Sequence, residues 1–591
     1  MTPSLPLFDW RVADDGAALP AANAAGLPPP IARLIARRGL ADVTDAASLA
    51  AFLDAPLGIL AKPGDMPGVD EAAQAILDVV ADGGQIVVFG DFDCDGITAT
   101  ALLTALLRFV GADVLPFIPK RSEGYGLTDE AVSRCLAAAR EARPDATRRL
   151  LVTVDCGMGA GPALRRFLDA GYRVVVTDHH TPGDPLPEAC TVISTFNPGV
   201  PACCRHLCGA GIAYKLACGV VTLRHPLPDK TGRAELHQWM GPLAIATVAD
   251  IVPLVGENRA YVREGLNVLN RRPGIGLKAL IRKAFERTAT RISAYHLGFV
   301  LGPHINASGR METAEPALNL LLATNDDDAL AEATRLANLN SLRKRTEEAL
   351  LQEIDGQLAD PSVFNPETDA AAVIAGRGWH PGIVGLAAGK LTERLSRPSV
   401  VIAIAEDGGA HGSARAPEGV YNLYDALSAC SSLLTRFGGH ASAAGLSLRE
   451  ADIPAFRQAF AAECLRQSGV THVRGGLVID GALGADDIDD AFLQALRRLE
   501  PCGNANETPC WMLADVHVTA TPIGQEKTHL RLRLQREDGL DLGGIWFGAA
   551  RFASLFEQID RWDVAGELTE NEFHHETEIQ LSVRDARPSG A

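Results

Sequence analysis

The sequence has no run of about 18 or more uncharged apolar residues, so no membrane-spanning helix is expected. Its first twenty residues, MTPSLPLFDWRVADDGAALP, lack a basic segment followed by an apolar one. No secretory signal is therefore expected, and the protein is placed in the cytoplasm, away from membranes. Order among the cysteines is also missing: the twelve are scattered, with no regular disulfide spacing and no paired CxxC pattern of a structural zinc site. One group, Cys203, Cys204, His206 and Cys208 with Cys190 upstream, reads either as a small zinc or redox site or as a reduced loop whose thiols fall together by chance. Positive charge is scarce, with 55 Lys and Arg against 73 Asp and Glu for a net charge of −18. Nucleic-acid partners usually call for the reverse. Bound divalent cations and one local basic groove nevertheless hold phosphate on an acidic protein, so the net charge does not decide the substrate class.

What is present is a globular chain. At 591 residues and 47% hydrophobic composition, it has material for several cores, or three to five domains of about 100–200 residues each. Residues 1–80, rich in Ala, Pro and Leu, read as a helical lead-in with helical spacing at Ile31–Arg38 and Asp45–Leu53. From Gln85 the pattern alternates: QIVVFG (85–90), LLVTV (150–154) and RVVVT (173–177) are buried-strand runs with helical stretches between them. That alternation predicts an α/β fold with a mostly parallel, helix-covered sheet over residues 81–315. A long helix should connect two lobes across 316–364, followed by a smaller α/β lobe at 365–468 built on AAVIAG (371–376) and SVVIAI (399–404). Beyond residue 469 the texture becomes alternating strands such as HLRLRL (529–534) and GGIWFG (543–548), which predicts a small β-barrel or sandwich over 469–591.

The chemistry concentrates in the first lobe. Asp91, Asp93 and Asp95 stand in GDFDCDG directly after a buried strand. Alternate residues of an extended backbone project to one side, so these carboxylates converge, and a hard divalent cation relieves their repulsion. The next strand ends at Asp155 in TVDCGMG, and the one after it at Asp178, His179 and His180 in TDHH. Open α/β sheets bind ligands beyond the carboxyl ends of their strands, so three strands deliver acids and imidazoles to one edge. Asp250 in ATVADIVPL, at the end of a helical run, is a fourth contribution. Oxygen ligands with one or two imidazoles suit manganese or magnesium rather than thiolate zinc. Two such ions clamp the attacking and leaving oxygens of an in-line phosphoryl displacement. A metal-bound hydroxide then serves as nucleophile, and no Ser or Cys nucleophile is required.

In this order, GDFDCDG, TVDCGMG, TDHH and ATVADIVPL resemble the DHH phosphoesterase superfamily, which takes its name from the Asp178–His179–His180 triplet. The motifs GWHPGIVGLAAGKL (378–391), HGSARA (411–416) and RFGGHASAAG (436–445) look like its DHHA1 domain. With the strand-rich C-terminus read as an OB-like domain, the chain is similar from about residue 80 onward to the branch that degrades single-stranded DNA from the 5′ end in repair and recombination. The resemblance implies that Asp93, Asp95, Asp155, His179 and Asp250 are metal ligands of two Mn²⁺ or Mg²⁺ ions, with Asp91 a ligand or a close neighbour. It implies that Asp178 and His180 orient ligands and the scissile phosphate. It further implies that Arg121, Asn306, Arg310, Ser413, Arg415, Gly439 and His440 grip backbone phosphates, and that Tyr125 stacks on a base.

Some positions depart from the family pattern or read two ways. His304 stands where the family usually has Arg, and would bind phosphate with a weaker, pH-sensitive group if it touches one. LEPCGNANETPCW (499–511) replaces a motif that usually reads Phe-Gly-x-Gly-Asn-Pro, and is taken as local loop variation. Trp379 and His380 read equally as cleft supports or core residues, and Arg531, Arg533 and Trp546 as DNA contacts or strand packing. A phosphoesterase for dinucleotides or short oligonucleotides shares the metal motifs but lacks the terminal module, and a non-catalytic scaffold on this fold would have lost the acidic motifs. Single-stranded DNA is the expected partner, with single-strand-binding protein and a helicase as natural associates and a monomer as the expected state.

Overall fold

A computed structural model describes residues 5–13, 26–225, 230–285, 291–573 and 576–590. The chain forms two compact units: Gly39–Arg343 with Leu496–Glu507, and Met1–Arg38 with Lys344–Ala495 and Thr508–Ala591.

The first unit is built on a five-stranded parallel sheet. Its spatial order is Asp113–Phe117, Gln85–Phe89, Arg149–Val154, Tyr172–Asp178 and Cys190–Ser194. The strands are apolar on both faces because both faces are covered. Ile86, Val88, Leu150 and Val152 point into the larger core beneath helices Val69–Ala81, Cys94–Phe109 and Gly209–Arg224. Their neighbours Val87, Phe89, Leu151, Val174 and Val176 point into a second core with helices Asp129–Ala142 and Gly161–Asp169. The strand order reverses between Gln85–Phe89 and Arg149–Val154, and ligands of such sheets sit at that point, beyond the carboxyl ends. GDFDCDG and TVDCGMG lead out of those two strands.

Residues 1–80, read as a helical lead-in, carry helices Pro29–Arg37, Ala46–Leu53 and Val69–Ala81 and one strand that the reading lacked. Asp9–Val12 is a strand, paired in parallel with Gly476–Ile479. It is anchored because the amides of Leu7 and Phe8 and the Trp10 indole donate to the buried Asp585 carboxylate. Helix Val69–Ala81 packs into the core of the parallel sheet instead of preceding it. Residues 1–4 and 14–25 of the lead-in lie outside the described residues. The connecting helix read over 316–364 is Asp326–Leu358, 33 residues long, or about 50 Å at 1.5 Å per residue. Glu315–Leu322 is a separate helix whose Ala317, Leu318 and Leu320 are buried in the first unit. The Asn325 side chain starts the long helix by accepting from the Asp328 amide.

In the second unit, a mixed sheet runs in the order Arg436–Gly439, Ala443–Arg449, Gly409–Arg415, Ser399–Ile404 and Ala372–Arg377, with only the last two strands parallel. The C-terminal strands Cys510–Ile523, His529–Gln535, Asp541–Trp546, Glu576–Pro588 and Trp562–Phe573 pair in that order, and the last returns to the first. A five-stranded closed barrel results, as the alternating texture predicts. Among the described residues, no helix is long and apolar enough to cross a membrane.

Candidate metal centre

The loop after Gln85–Phe89 holds its carboxylates by its own turn. Asp93 caps helix Cys94–Phe109, its Oδ1 accepting from the amides of Asp95 and Gly96 at 3.0 Å each, as short acidic side chains do at helix starts. Asp95 reaches to the next helix, where the Gly209 and Ala210 amides donate to its two oxygens at 2.6 and 2.9 Å. Helix Gly209–Arg224 has no side-chain cap of its own, so Asp95 satisfies amides that a cap would otherwise take. Only glycine fits at 209, since a Cβ there would stand 2.5 Å from Asp155.

Asp155 follows its strand with φ +59°, a left-handed conformation that few non-glycine residues adopt and that recurs at functional sites. The turn brings its carboxylate to His179, whose Nε2 lies 3.1 Å from Asp155 Oδ1, 3.6 Å from Asp250 Oδ2 and 3.8 Å from Asp95 Oδ2. Asp250 arrives from helix Met240–Ala249 as its C-terminal cap. In this cluster three sets of donor atoms lie close enough to share an ion: Asp91, Asp93 and Asp155; Asp95, His179 and Asp250; and Asp155, His179 and His180. Asp155 and His179 each belong to two sets, which suits adjacent ions.

The electrostatics are those of a cation site. Asp91 Oδ1, Asp155 Oδ1, Asp250 Oδ2 and His179 Nε2 are buried without a hydrogen-bond partner among the described residues. Burial, then the neighbouring carboxylates Asp95, Asp93, Asp250 and Asp91, push Asp155 well above the usual carboxylate range. Burial and Asp93 do the same to Asp91. Burial, Asp95 and Asp93 push Asp250 up to about 9. Burial lowers His179, keeping it in the neutral form that ligates.

The neighbours of the cluster are positioned by hydrogen bonds. Asp178 is buried, which pushes its pKa up, but bonds from His180 and the Met158 amide outweigh burial and hold it below the ordinary value. Its Oδ1 lies 2.8 Å from His180 Nδ1, and the pairing raises His180 against the pull of burial. The Tyr125 hydroxyl lies 3.1 Å from the His180 ring nitrogens, while the residue is 52% exposed. Arg121 stacks on Phe92 at 4.1 Å and donates to the Gly309 carbonyl, near enough to Asp91 and Asp93 to feel both.

Comparison with known proteins gives the family of this chain. The profile of the DHH family N-terminal domain matches residues 85–247, that of the DHHA1 domain 368–466, and that of the RecJ OB domain 479–585. The single-stranded-DNA-specific exonuclease RecJ of Escherichia coli (strain K12) is 32% identical over 615 residues, covering 98% of this chain and 98% of its own. The chain belongs to the RecJ family. The RecJ of Bacillus subtilis (strain 168) is 32% identical over 95% of this chain and 68% of its own. Among solved structures, RecJ of Thermus thermophilus in complex with Mn²⁺ superposes with a TM-score of 0.81 at 30% identity, covering 99% of this chain and 80% of the other. The Mg²⁺ complex from the same organism gives a TM-score of 0.74 at 28% identity, covering 99% and 79%.

The remaining sites read from the sequence divide between the units. In the first, Asn306 and Arg310 lie on helix Gly302–Met311. Asn306 accepts from the Cys94 amide at 2.8 Å, so it also clamps the acidic loop. In the second, Ser413 and Arg415 lie on strand Gly409–Arg415 and bond to each other at 2.8 Å, and burial lowers the Arg415 pKa. Gly439 has φ +141°, and a Cβ there would strike the Ala443 carbonyl; His440 beside it is exposed.

Several double readings resolve as structure. His304 is buried and bonds to the Val300 carbonyl and Asn340, so it has no free nitrogen for phosphate. Trp379 is buried with its indole on Glu353, and His380 accepts from the Gly382 amide. Trp546 is buried against Phe552, while Arg531 and Arg533 stay exposed, Arg533 in a surface pair with Asp541. The cysteine group divides: Cys203 and Cys204 bring their sulfurs, with a Glu257 oxygen, close enough to share an ion, and Cys208 lies apart. Cys203 and Cys204 adjoin the buried Glu257, whose charge Lys215 meets at 2.8 Å, while Cys208 is buried against Thr247.

Within the segment 499–511, read as local loop variation, the residues up to Glu507 pack with the first unit as part of Leu496–Glu507. Buried Arg259 holds them by donating to the carbonyls of Arg498, Leu499, Glu500 and Pro501, and to that of Phe52. Asn504 then donates to the carbonyl of Ile251, the residue after Asp250, which is itself at φ +58°. Sequence reasoning missed Arg259, Asn504 and the Gly209–Ala210 amides. The only signal was an Asn-rich CGNAN turn whose partner lies 253 residues away.

Proposed function

We propose that this chain is a metal-dependent 5′→3′ exonuclease that hydrolyses single-stranded DNA to 5′-mononucleotides in repair and recombination. The observation that carries the reading is the convergence of buried, unpartnered Asp91, Asp155, His179 and Asp250 atoms at the carboxyl edge of the sheet, in a chain of the RecJ family. The donor set fits hard divalent ions, because a bound cation lets carboxylates that burial and mutual repulsion disfavour stay ionised together. Asp91, Asp93, Asp95, Asp155, His179 and Asp250 would hold two Mn²⁺ or Mg²⁺ ions, which would stabilise the attacking and leaving oxygens of an in-line displacement.

The chain's own groups position the rest. The Gly209 and Ala210 amides fix Asp95, and Asn306 fixes the loop through the Cys94 amide. Asp178 orients His180 and favours its cationic form, so His180 presents positive charge to a phosphate oxygen. Arg121, Arg310, Ser413, Arg415, Gly439 and His440 grip the backbone, with Tyr125 stacking on a base. In this reading residues 81–315 carry catalysis, 365–468 position the strand and 469–591 hold it upstream. The protein works as a cytoplasmic monomer on strands supplied with single-strand-binding protein and a helicase.

The test is digestion, in manganese, of one strand labelled at either end, of its duplex and of a dinucleotide. Release of 5′-mononucleotides from the 5′ end of the single strand, lost in Asp155→Ala, supports the reading. Hydrolysis of the dinucleotide alone would replace it with a short-substrate phosphoesterase.

A further inference from the structure

In a chain of net charge −18, one stretch runs the other way: residues 271–300 contain seven Lys or Arg and a single acid, Glu286. Arg271, Arg272, Lys278, Arg282 and Arg291 are exposed, and none of them is in an ion pair among the described residues. The fold gathers them. The Asn270 side chain bonds both backbone groups of Ile292, at 2.9 and 2.8 Å, which sets Arg271 and Arg272 beside Arg291. The Phe285 ring meets His296 at 5.3 Å, which brings Arg282 at the end of helix Ile275–Ala284 toward Tyr295.

Within this cationic margin stand two large aromatics in water. Tyr295 is 64% and Phe299 72% exposed, and their rings stack at 4.9 Å and 25°. Phe299 sits in a π-helical turn, Leu297–Leu301, a local irregularity found mostly where function requires it. The turn is seated on the metal side of the unit. A Cβ at Gly298 would lie 3.3 Å from Val248, and one at Gly302 3.1 Å from Ala249, the two residues that lead into Asp250. Packing does not explain the pair, because exposed rings remove little apolar area from water.

Resting on the exonuclease reading, we propose that this surface is a second strand-binding site, on which single-stranded DNA stacks its bases against Tyr295 and Phe299 and lays its phosphates along Arg271, Arg272, Arg282 and Arg291. Aromatic platforms edged by cations are how sequence-blind proteins hold single strands. A peptide or protein partner would use the apolar rings without needing the row of cations, and the turn that carries Phe299 packs against Val248 and Ala249, the residues before Asp250.

The test reads binding, in an Asp155→Ala background that does not cut. Anisotropy of a fluorescent dT strand of about 40 nucleotides, long enough to span several stacking sites, is measured for that chain, for Tyr295→Ala/Phe299→Ala and for Arg282→Gln/Arg291→Gln. Loss of the rings should weaken binding about tenfold or more, with Tyr295→Phe retaining it. Loss of two cations should reduce the slope of log K against log salt by about 1.4, or about 0.7 for each phosphate contact. Irradiation of a 5-iodouracil strand should label the peptide that contains Tyr295 and Phe299. Unchanged affinity and slope in both variants, with no label on that peptide, would overturn the site. Digestion by the unaltered chain is scored separately, so its failure would strike the exonuclease reading and not this one.

Discussion

Asp250 shows what the acidic cluster costs when no cation is bound. Its folded pKa of about 9 lies far above the usual carboxylate value because of burial and the charges of Asp95 and Asp93. A raised folded pKa stabilises the fold fully below the unfolded value, near about 4, and that contribution is lost as pH rises toward about 9. In chelator, therefore, the melting temperature of the parent should fall relative to Asp250→Asn as pH rises from about 4 to about 9. Manganese should reverse the order, stabilising the parent by mass action and the variant little. A thermal melt at several pH values with and without the ion checks both signs. Asp178 is a different case, because it belongs to none of the donor sets and instead bonds to His180 and the Met158 amide. Asp178→Asn should lower kcat about 10- to 100-fold with the cluster intact, the usual cost of losing an outer partner of a ligand. Added manganese should not restore it, since the orientation of His180 is what is lost.

Among the elements, the strand ends were legible and the clamps were not. QIVVF, LLVTV and RVVVT each announce a buried strand, and a carboxylate one or two residues later announces the edge, so the acidic motifs could be placed before any fold was seen. The C-terminal barrel was legible from alternation in HLRLRL. The strand at Asp9–Val12 was not, because four residues without alternating burial carry no period and their pairing partners, Gly476–Ile479, lie in a distant part of the chain. Arg259 was invisible for the same reason: a charged residue in a helix reads as exposed until five carbonyls are brought around it. Its place predicts that Arg259→Met destabilises the catalytic unit by about 3 kcal/mol or more, since hydrogen bonds to a charged group are worth about 1.5–3 kcal/mol and several buried carbonyls lose theirs together. Asn504→Ala should cost about 1 kcal/mol in stability. It should also raise the manganese concentration needed for half-maximal activity, because Ile251 and hence Asp250 are freed. Denaturant unfolding and a metal titration measure the two effects.

For the whole molecule, the sign of the charge and the nature of the substrate are opposed only when charge is averaged. The chain carries 73 acidic residues against 55 basic ones. Yet the acids Asp91, Asp93, Asp95, Asp155 and Asp250 are buried or half-buried in one cluster built for cations, and arginines without ion pairs among the described residues are concentrated along 271–291. Cleavage of long strands should thus weaken steeply with added salt, while that of a dinucleotide, which displaces fewer counterions, should weaken much less. Steady-state rates at about 50 and about 200 mM salt, a span over which phosphate contacts are strongly screened, compare the two.

The central claim is that the cluster of Asp91, Asp93, Asp95, Asp155, His179 and Asp250 holds two divalent ions. It is tested most directly by counting manganese bound per chain, by equilibrium dialysis or calorimetry, in the parent and in Asp155→Ala. The account predicts two ions in the parent and a loss of one or both in the variant, because Asp155 belongs to two of the three donor sets. Fewer than two ions in the parent, or the same count in the variant, would contradict it.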